Sequence, residues 1–301
     1  MALATFHHRD FPLDRIRAAK RETVTVCLPA REVAATIGPI LEVVLGLRDA
    51  GIVDQVLVVD AASRDGTADL AARAGAQVVQ EADLMPGVGP PSGKGDAMWR
   101  ALSVATGDVV VYVDADSGGF GEHYVRGLVG AILCEPGVEF VKGFYRRPFR
   151  VGDTVTGDGG GRVTELTARP LLNLFWPDLA PLRQPLAGEI AARRRLLERI
   201  PFPVGYGIET AMLLDVRRLA GVDAFAQVDL EVRQNAHQPL SALTLMAASV
   251  LQVAADRLAR EGRLSGPLPG ALLIPDGSGR LRTESMHLVE RPPMASVRVA
   301  A

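Results

Sequence analysis

Apolar residues in the first half of this chain fall in continuous blocks separated by helically spaced ones. Three runs, Thr23–Leu28, Gln55–Val59 and Asp108–Val113, with a shorter fourth at Gln77–Val79, have the composition of strands buried on both faces. Between them Ala34–Asp49, Thr67–Ala74 and Gly95–Ala105 carry helical patterns. Strand and helix in alternation predict a doubly wound α/β sheet. Beyond residue 140 the rhythm changes. Phe140–Tyr145 reads as a further strand, followed by a Gly-rich loop and a helical segment broken at Pro170. Glu189–Arg199 reads as a helix, Pro201–Gly207 as a loop, Ile208–Leu219 as a helix and Ala224–Val232 as a strand. Ser241–Arg260 is a long amphipathic helix. Gly262 to Ala301 reads as an extended, partly ordered tail.

The third run ends in Asp114-Ala115-Asp116. Alternate strand residues share a face and rise ~3.3 Å each, so both acids can sit ~7 Å apart on one side. The carboxyl ends of strands in an open α/β sheet form its ligand crevice, and a D-x-D there suits a divalent cation carrying a diphosphate. Asp at a strand end is also an ordinary turn former.

Composition narrows the field. The 301 residues are 48% hydrophobic with a formal charge of −2, enough for one large domain and without the basic stripe of a nucleic-acid binder. Cys27 and Cys134 lie in apolar stretches with no C-x-x-C between them, as reduced core thiols of a cytoplasmic protein would. The residues from Met1 to Pro12 lack a signal-peptide core, and the apolar stretch Leu243–Ala255 is short of the ~20 residues of a membrane span, so no membrane partner is expected.

Further chemistry clusters in loops. Ser92-Gly93-Lys94-Gly95 has no Walker A spacing, yet glycines flank a lysine at a helix start, an arrangement suited to an anion. A solvated lysine is the plain alternative. Gly159-Gly160-Gly161-Arg162-Val163-Thr164-Glu165 offers a second anion site, a glycine nest beside a guanidinium and a hydroxyl; a flexible lid is its plain alternative. Two anion sites suggest two phosphorylated substrates. Glu209 follows Gly205-Tyr206-Gly207-Ile208 at a helix entrance, either as a dipole-stabilising charge or as an acceptor for sugar hydroxyls. His237 is a candidate metal ligand or a lone surface histidine, and His7 and His8 fall in what reads as a mobile terminus. No H-E-x-x-H, G-x-S-x-G or G-x-G-x-x-G is present, which leaves zinc hydrolysis, serine hydrolysis and nicotinamide chemistry without support.

In order and spacing, a series of segments resembles the glucosyl-3-phosphoglycerate synthases of actinobacteria and the similar mannosyl-3-phosphoglycerate synthases. They are Leu28-Pro29-Ala30, Val59–Thr67, Gly93–Arg100, Asp114-Ala115-Asp116, Phe144–Pro148, Gly159–Leu166, Gln184–Glu189, Gly205–Glu209 and Arg291-Pro292-Pro293-Met294. The resemblance implies a GT-A fold, a Rossmann-like mixed sheet with helices on both faces and a C-terminal helical and extended appendage. It implies a nucleotide-sugar half at 1–140, an acceptor half of the same domain at 141–240, and a helix and tail at 241–301 with a possible dimer contact. The implied activity is retaining transfer of glucose from UDP-glucose to 3-phosphoglycerate. The alternatives are mannose from GDP-mannose, or a binding paralogue with altered or lost activity.

By position in the motifs, Pro29, Ala30, Ser63, Lys94, Asp114, Ala115, Asp116 and Glu209 would hold the nucleotide sugar. Asp116 would ligate Mg²⁺ or Mn²⁺; Asp114, Glu209 and the carbonyl of Leu186 would face the reaction centre. Gly161, Arg162, Val163 and Thr164, with Asn235 and His237, would take the acceptor. A homodimer is implied as well. Two departures stand out. The family's Asn-Glu-Glu after Pro-Ala is matched here by Glu32-Val33-Ala34, and its His-x-Asn is matched by Asn235-Ala236-His237, with the two residue types exchanged. Either His237 still reaches the metal from the same side of an extended chain, or Asn235 supplies a weaker oxygen ligand.

Overall fold

The apolar runs assemble into a single sheet of eight strands. The computed structural model describes residues 3–147, 149–151, 154–156, 161–233, 240–266, 270–275, 281–285 and 287–297. In chain order its strands are β1 (Ala4–His7), β2 (Val24–Ala30), β3 (Gln55–Asp60), β4 (Gln77–Gln80), β5 (Val109–Tyr112) and β6 (Phe140–Arg146). A hairpin of β7 (Phe149–Val151) and β8 (Thr154–Thr156) precedes β9 (Ile190–Arg193), β10 (Phe202–Pro203) and β11 (Phe225–Val232). The hairpin β12 (Ala271–Pro275) and β13 (Leu281–Ser285), then β14 (Glu290–Arg291), come last. The large sheet runs β1-β11-β6-β9-β5-β2-β3-β4. Every pair is parallel except those of β9, which is antiparallel to both β5 and β6. β2, β3 and β5 are almost wholly buried, which explains their largely apolar sequence.

Two apolar layers cover the sheet. Helices α1 (Leu13–Ala19), α2 (Ala34–Asp49), α3 (Thr67–Ala74) and α5 (Glu122–Cys134) cover one face, with Ile37, Leu41, Val125 and Leu128 against Val26, Val58 and Val111. On the other lie α4 (Gly93–Ala101), α6 (Arg169–Phe175), α7 (Arg194–Leu197) and α8 (Ile208–Ala220), with Trp99, Trp176 and Met212 against Cys27, Leu57 and Tyr112. Residues 1–140 and 141–240 therefore contribute to one sheet and not to two. Cys27 is buried and Cys134 half-buried, both as free thiols.

Several sequence expectations need correction. Glu189–Arg199 is not one helix: its first part is β9, in the middle of the sheet. Good helix formers there are overridden because Ile190, Ala191 and Ala192 are fully enclosed by β5 and β6. Pro170 does not break its helix. It falls in the first turn of α6, and the π-helical turn Thr164–Ala168 ahead of it accommodates a residue that supplies no N–H. The N-terminus is not mobile, since β1 pairs with β11 from Ala4↔Ala226 to His7↔Asp229.

The tail is likewise anchored. Arg291 donates to Asp96 Oδ1 (2.6 Å) and Oδ2 (2.9 Å), the Trp99 indole donates to the Pro292 carbonyl (2.8 Å), and Met294 is buried. α9 (Leu240–Arg260) is longer than its most apolar stretch, and its part Ala242–Arg260 has the length and hydropathy of a membrane-crossing helix. In this fold Val250, Val253, Ala254 and Leu258 are buried, and Arg257 pairs with Asp215 of α8 (2.6 Å).

Two features of this packing can be tested by stability. A Cβ on Gly95 would stand 1.9 Å from the Pro203 carbonyl oxygen, so α4 meets the β10 strand without room for a side chain. Gly95→Ala should cost ~2–3 kcal/mol by overpacking, read from the shift in urea midpoint.

Lys142 of β6 is buried and donates its Nζ to the Ala187 carbonyl. Burial pulls its pKa down to about 8, against the opposing pull of the Glu209 and Glu189 carboxylates. An unfolded lysine holds its proton until about pH 10.4, so between these values the unfolded chain binds more protons and stability rises with pH. Relative to Lys142→Met, the wild-type chain should gain about 3 kcal/mol across that window, measured by denaturant titration at about pH 7 and about pH 10.

Candidate active site

Charged side chains converge where β5, β6, β9 and β11 end. Asp114 and Asp116 follow β5, and Lys94 opens α4. Lys94 Nζ donates to Asp114 Oδ1 (2.7 Å) and to Glu209 Oε1 (3.0 Å), the latter in the first turn of α8. Arg233, just past β11, is buried and donates to Asp114 Oδ2 (2.9 Å), Asp116 Oδ1 (3.4 Å), Tyr145 Oη (2.8 Å) and Glu189. Because β9 runs antiparallel, its leading residue Glu189 arrives beside the trailing ends of β5 and β6. Gly188 precedes it, and a Cβ there would stand 2.5 Å from both Asp114 carboxylate oxygens. Only glycine lets that backbone pass the acid.

These contacts set the charges. Burial disfavours the Asp114 carboxylate, but Lys94 and Arg233 outweigh it and hold its pKa well below the ordinary carboxylate value. Burial likewise opposes the Lys94 ammonium, and Asp114 with Glu209 reverses this and pushes its pKa up. Both groups are ionised at neutral pH. Asp116 differs. Its side chain is 65% exposed, and the one bond from Arg233 is long, so its hard oxygens remain available to a Mg²⁺ or Mn²⁺ ion. The donor set fits such an ion: two carboxylates at a strand end with cations behind them.

The helix start at Lys94 works differently from the sequence reading. The amides of Gly95 and Asp96 donate to the Val204 carbonyl (3.0 and 3.3 Å), and that of Ser92 to Asp96 Oδ2 (2.9 Å). These amides are spent within the fold, so attraction for an anion there rests on the Lys94 ammonium. Asp96 is buried with Arg100 (3.1 Å) and Arg291, and those cations overcome the penalty of burial and lower its pKa.

On the other predicted nucleotide residues, Pro29 and Ala30 close β2, and the Ala30 carbonyl accepts from Ala61 N (2.9 Å). Ser63 Oγ accepts from Glu32 N (2.9 Å), while a Glu32 carboxylate oxygen accepts from Arg64 N (2.8 Å). Ser63 and Glu32 thus lace the two strand-end loops together. Ala115 is buried between the acids, its carbonyl accepting from Thr36 Oγ1 (2.7 Å).

Next to the acid pair lies a cavity of about 670 Å³ lined by Phe144, Tyr145, Arg146, Arg147, Arg162, Glu165, Leu166, Arg183, Gln184 and Asp229. Arg162 and Val163 open the helix that continues through the π turn, Gly161 stands just before them, and Thr164 is buried. Arg147 lies over the Tyr145 ring and Arg183 over the Phe144 ring. Tyr145 joins the cavity to the acid pair: its hydroxyl donates to Glu189 Oε2 (2.8 Å) and accepts from Arg233. Leu186 sits in the turn closed by the Ala187 N to Gln184 carbonyl bond (3.1 Å), two residues before Gly188. Asn235 and His237 lie outside the described residues.

Sequence reasoning assigned no role to Arg233, Glu189, Tyr145, Lys142 or Arg183. Arg233, Glu189 and Lys142 stand beside or within strands, where a charge amid apolar residues is the available signal; Tyr145 and Arg183 carry none.

Residues 25–118 match the profile of Glycosyl transferase family 2. The chain is 42% identical to the glucosyl-3-phosphoglycerate synthase of Mycobacterium tuberculosis over 98% of this chain and 92% of that protein. It is 38% identical to the enzyme of the same name from Petrotoga mobilis, over 86% and 82%. Among solved structures, the mannosyl-3-phosphoglycerate synthase of Rubrobacter xylanophilus superposes with a TM-score of 0.89 at 46% identity, covering 97% of this chain and 95% of that one. The M. tuberculosis glucosyl-3-phosphoglycerate synthase in complex with Mn²⁺, UDP-glucose and phosphoglyceric acid superposes at 0.85 and 38%, covering 97% and 98%. With kinship of this extent along nearly the whole chain, the protein belongs to the glucosyl-3-phosphoglycerate synthase family, and its sheet is the GT-A glycosyltransferase fold.

Proposed function

We propose that the protein transfers glucose from UDP-glucose to 3-phosphoglycerate with retention at the sugar, assisted by Mg²⁺ or Mn²⁺. The observation that carries this reading is the shared wall. A cation-backed acid pair and an arginine-lined cavity meet at Tyr145, so two anionic substrates would lie side by side. The relatives solved with Mn²⁺, UDP-glucose and phosphoglyceric acid support the choice of substrates.

Asp116 would hold the divalent ion with Asp114 beside it, and the ion would neutralise charge on the diphosphate. Lys94 and Arg233 hold fixed positive charge at the same place, where a departing diphosphate develops its own. Glu209, anchored by Lys94, offers its other carboxylate oxygen to sugar hydroxyls. Asp114 and Glu209 are both committed to Lys94, which makes neither a free nucleophile and favours a front-face route in which the diphosphate takes the acceptor's proton. Arg162, Arg147 and Arg183 give the acceptor's phosphate and carboxylate their counter-charges.

The same reading places the enzyme in the cytoplasm, in keeping with free Cys27 and Cys134, and assembles it as a homodimer through α9, where Leu240 and Leu251 are exposed.

Incubation with 3-phosphoglycerate, Mg²⁺ and UDP-glucose, GDP-glucose or GDP-mannose in parallel, read by product mass, should give glucosyl-3-phosphoglycerate with UDP-glucose. Product only with GDP-mannose would make it a mannosyl enzyme, and no product despite metal-dependent nucleotide binding would make it a binding paralogue. Asp116→Ala should abolish metal-dependent donor binding. Arg162→Ala should raise the KM for 3-phosphoglycerate about 10-fold or more while leaving that for the donor near wild type. Light scattering on a sizing column should report a dimer, and Leu251→Glu should shift it towards monomer; a wild-type monomer would remove the dimer from the proposal.

A further inference from the structure

β11 does not run regularly to its end. Asp229 pairs with Phe144 and Val232 with Arg146, so three steps on β11 match two on β6 and one residue is extra. The extra residue adopts a left-handed backbone at Glu231 (φ 70°), a conformation that suits Gly and that other side chains avoid. Past the bulge, Arg233 N donates to the Arg146 carbonyl (3.0 Å), and its side chain enters the acid cluster. A one-residue change of register turns a side chain to the opposite face of a strand. The bulge is therefore what aims Arg233 at Asp114 and Asp116.

A glutamate in a glycine conformation has to be held there. Glu231 Oε1 accepts from His8 Nε2 (2.9 Å) and Arg9 Nη2 (2.6 Å), and Glu231 N donates to Asp229 Oδ1 (2.8 Å). His8 is itself buried, and its Nδ1 accepts from Arg126 Nη2 (2.8 Å), which puts the ring proton on Nε2, facing Glu231. His7, His8 and Glu231 are close enough together to surround a cation. The Arg9 guanidinium already bonds Glu231 there and Arg126 holds the other ring nitrogen of His8, however, which favours a hydrogen-bonded pin over a metal site.

We propose that His8 and Glu231 are positioning residues for the transfer reaction. The turn that follows β1 would grip Glu231, fix the bulge, and so hold Arg233 against the metal-binding carboxylates from the far side of β11. The link to metal and donor rests on the function proposed above; the link from His8 to Arg233 does not.

Two measurements on the full chain separate these. The first is hydrogen exchange. In His8→Ala the amides of 229–233 should exchange several-fold faster while those of 225–228 keep their protection, and unchanged exchange at 229–233 would overturn the proposal. The second is the Kd for Mn²⁺ in the presence of UDP, with steady-state kinetics. Glu231→Gly removes the grip but suits the backbone, so it should fold at least as stably as wild type and still bind Mn²⁺ about 10-fold more weakly. His8→Ala should weaken Mn²⁺ binding similarly, and His8→Gln, which offers one donor and one acceptor, should restore it. A stable Glu231→Gly protein with wild-type Mn²⁺ affinity and kcat would overturn the proposal. If exchange responds as expected but the wild-type chain binds no Mn²⁺ with UDP, the functional reading falls and the positioning link stands.

Discussion

An ammonium, a guanidinium and four carboxylates share the strand ends of this sheet, and apart from the exposed Asp116 each relies on the others to stay charged there. Lys94 stays charged because Asp114 and Glu209 face it, Asp114 because Lys94 and Arg233 do. Removing one member of such a buried set leaves a bare charge and costs ~3–5 kcal/mol, far more than an exposed pair is worth. Packed apolar residues would stabilise the same space better. What the charges provide is fixed polarity: their orientation is settled during folding, before any substrate arrives. The placement of β9, the close approach of Gly188 and the bulge in β11 all serve to bring these groups within reach of one another.

The antiparallel strand has a similar role on a larger scale. In an all-parallel sheet only trailing strand ends reach the crevice. Inserting β9 the other way round lets a leading end contribute, so Gly188 passes directly against Asp114 and Glu189 reaches Arg233 and Tyr145 beside it. It also brings the arginine-lined cavity on β6 alongside the acid pair on β5, with Tyr145 between them.

Most strands and helices were legible because burial leaves a periodic trace. β2, β3 and β5 are largely apolar, and α9 carries a clear stripe. The family resemblance put Asp114, Lys94 and Glu209 at one nucleotide-sugar site, and in the structure Lys94 bonds both acids. What could not be read depends on partners far along the chain. Ile190-Ala191-Ala192-Arg193 has the composition of a helix and becomes a strand because two neighbours enclose it. Arg233 meets Asp114 119 residues away, and a register shift no local pattern encodes decides its direction. His8 reads as part of a loose terminus, and only the pairing of β1 with the distant β11 fixes it in place.

The clamp made by Arg291 imposes an order of events on synthesis. Its partner Asp96 lies 195 residues earlier, and the same guanidinium holds the Val88 and Pro90 carbonyls of the segment leading to Lys94. While a ribosome is still adding residues before 291, Asp96 has Arg100 and the Ser92 amide for partners, and the Val88 and Pro90 carbonyls lack the donor they share. The nascent protein can build most of its sheet in that interval, and can already pair Lys94 with Asp114 and Glu209, yet the loop leading to that lysine gains its last clamp only after residue 291 is added.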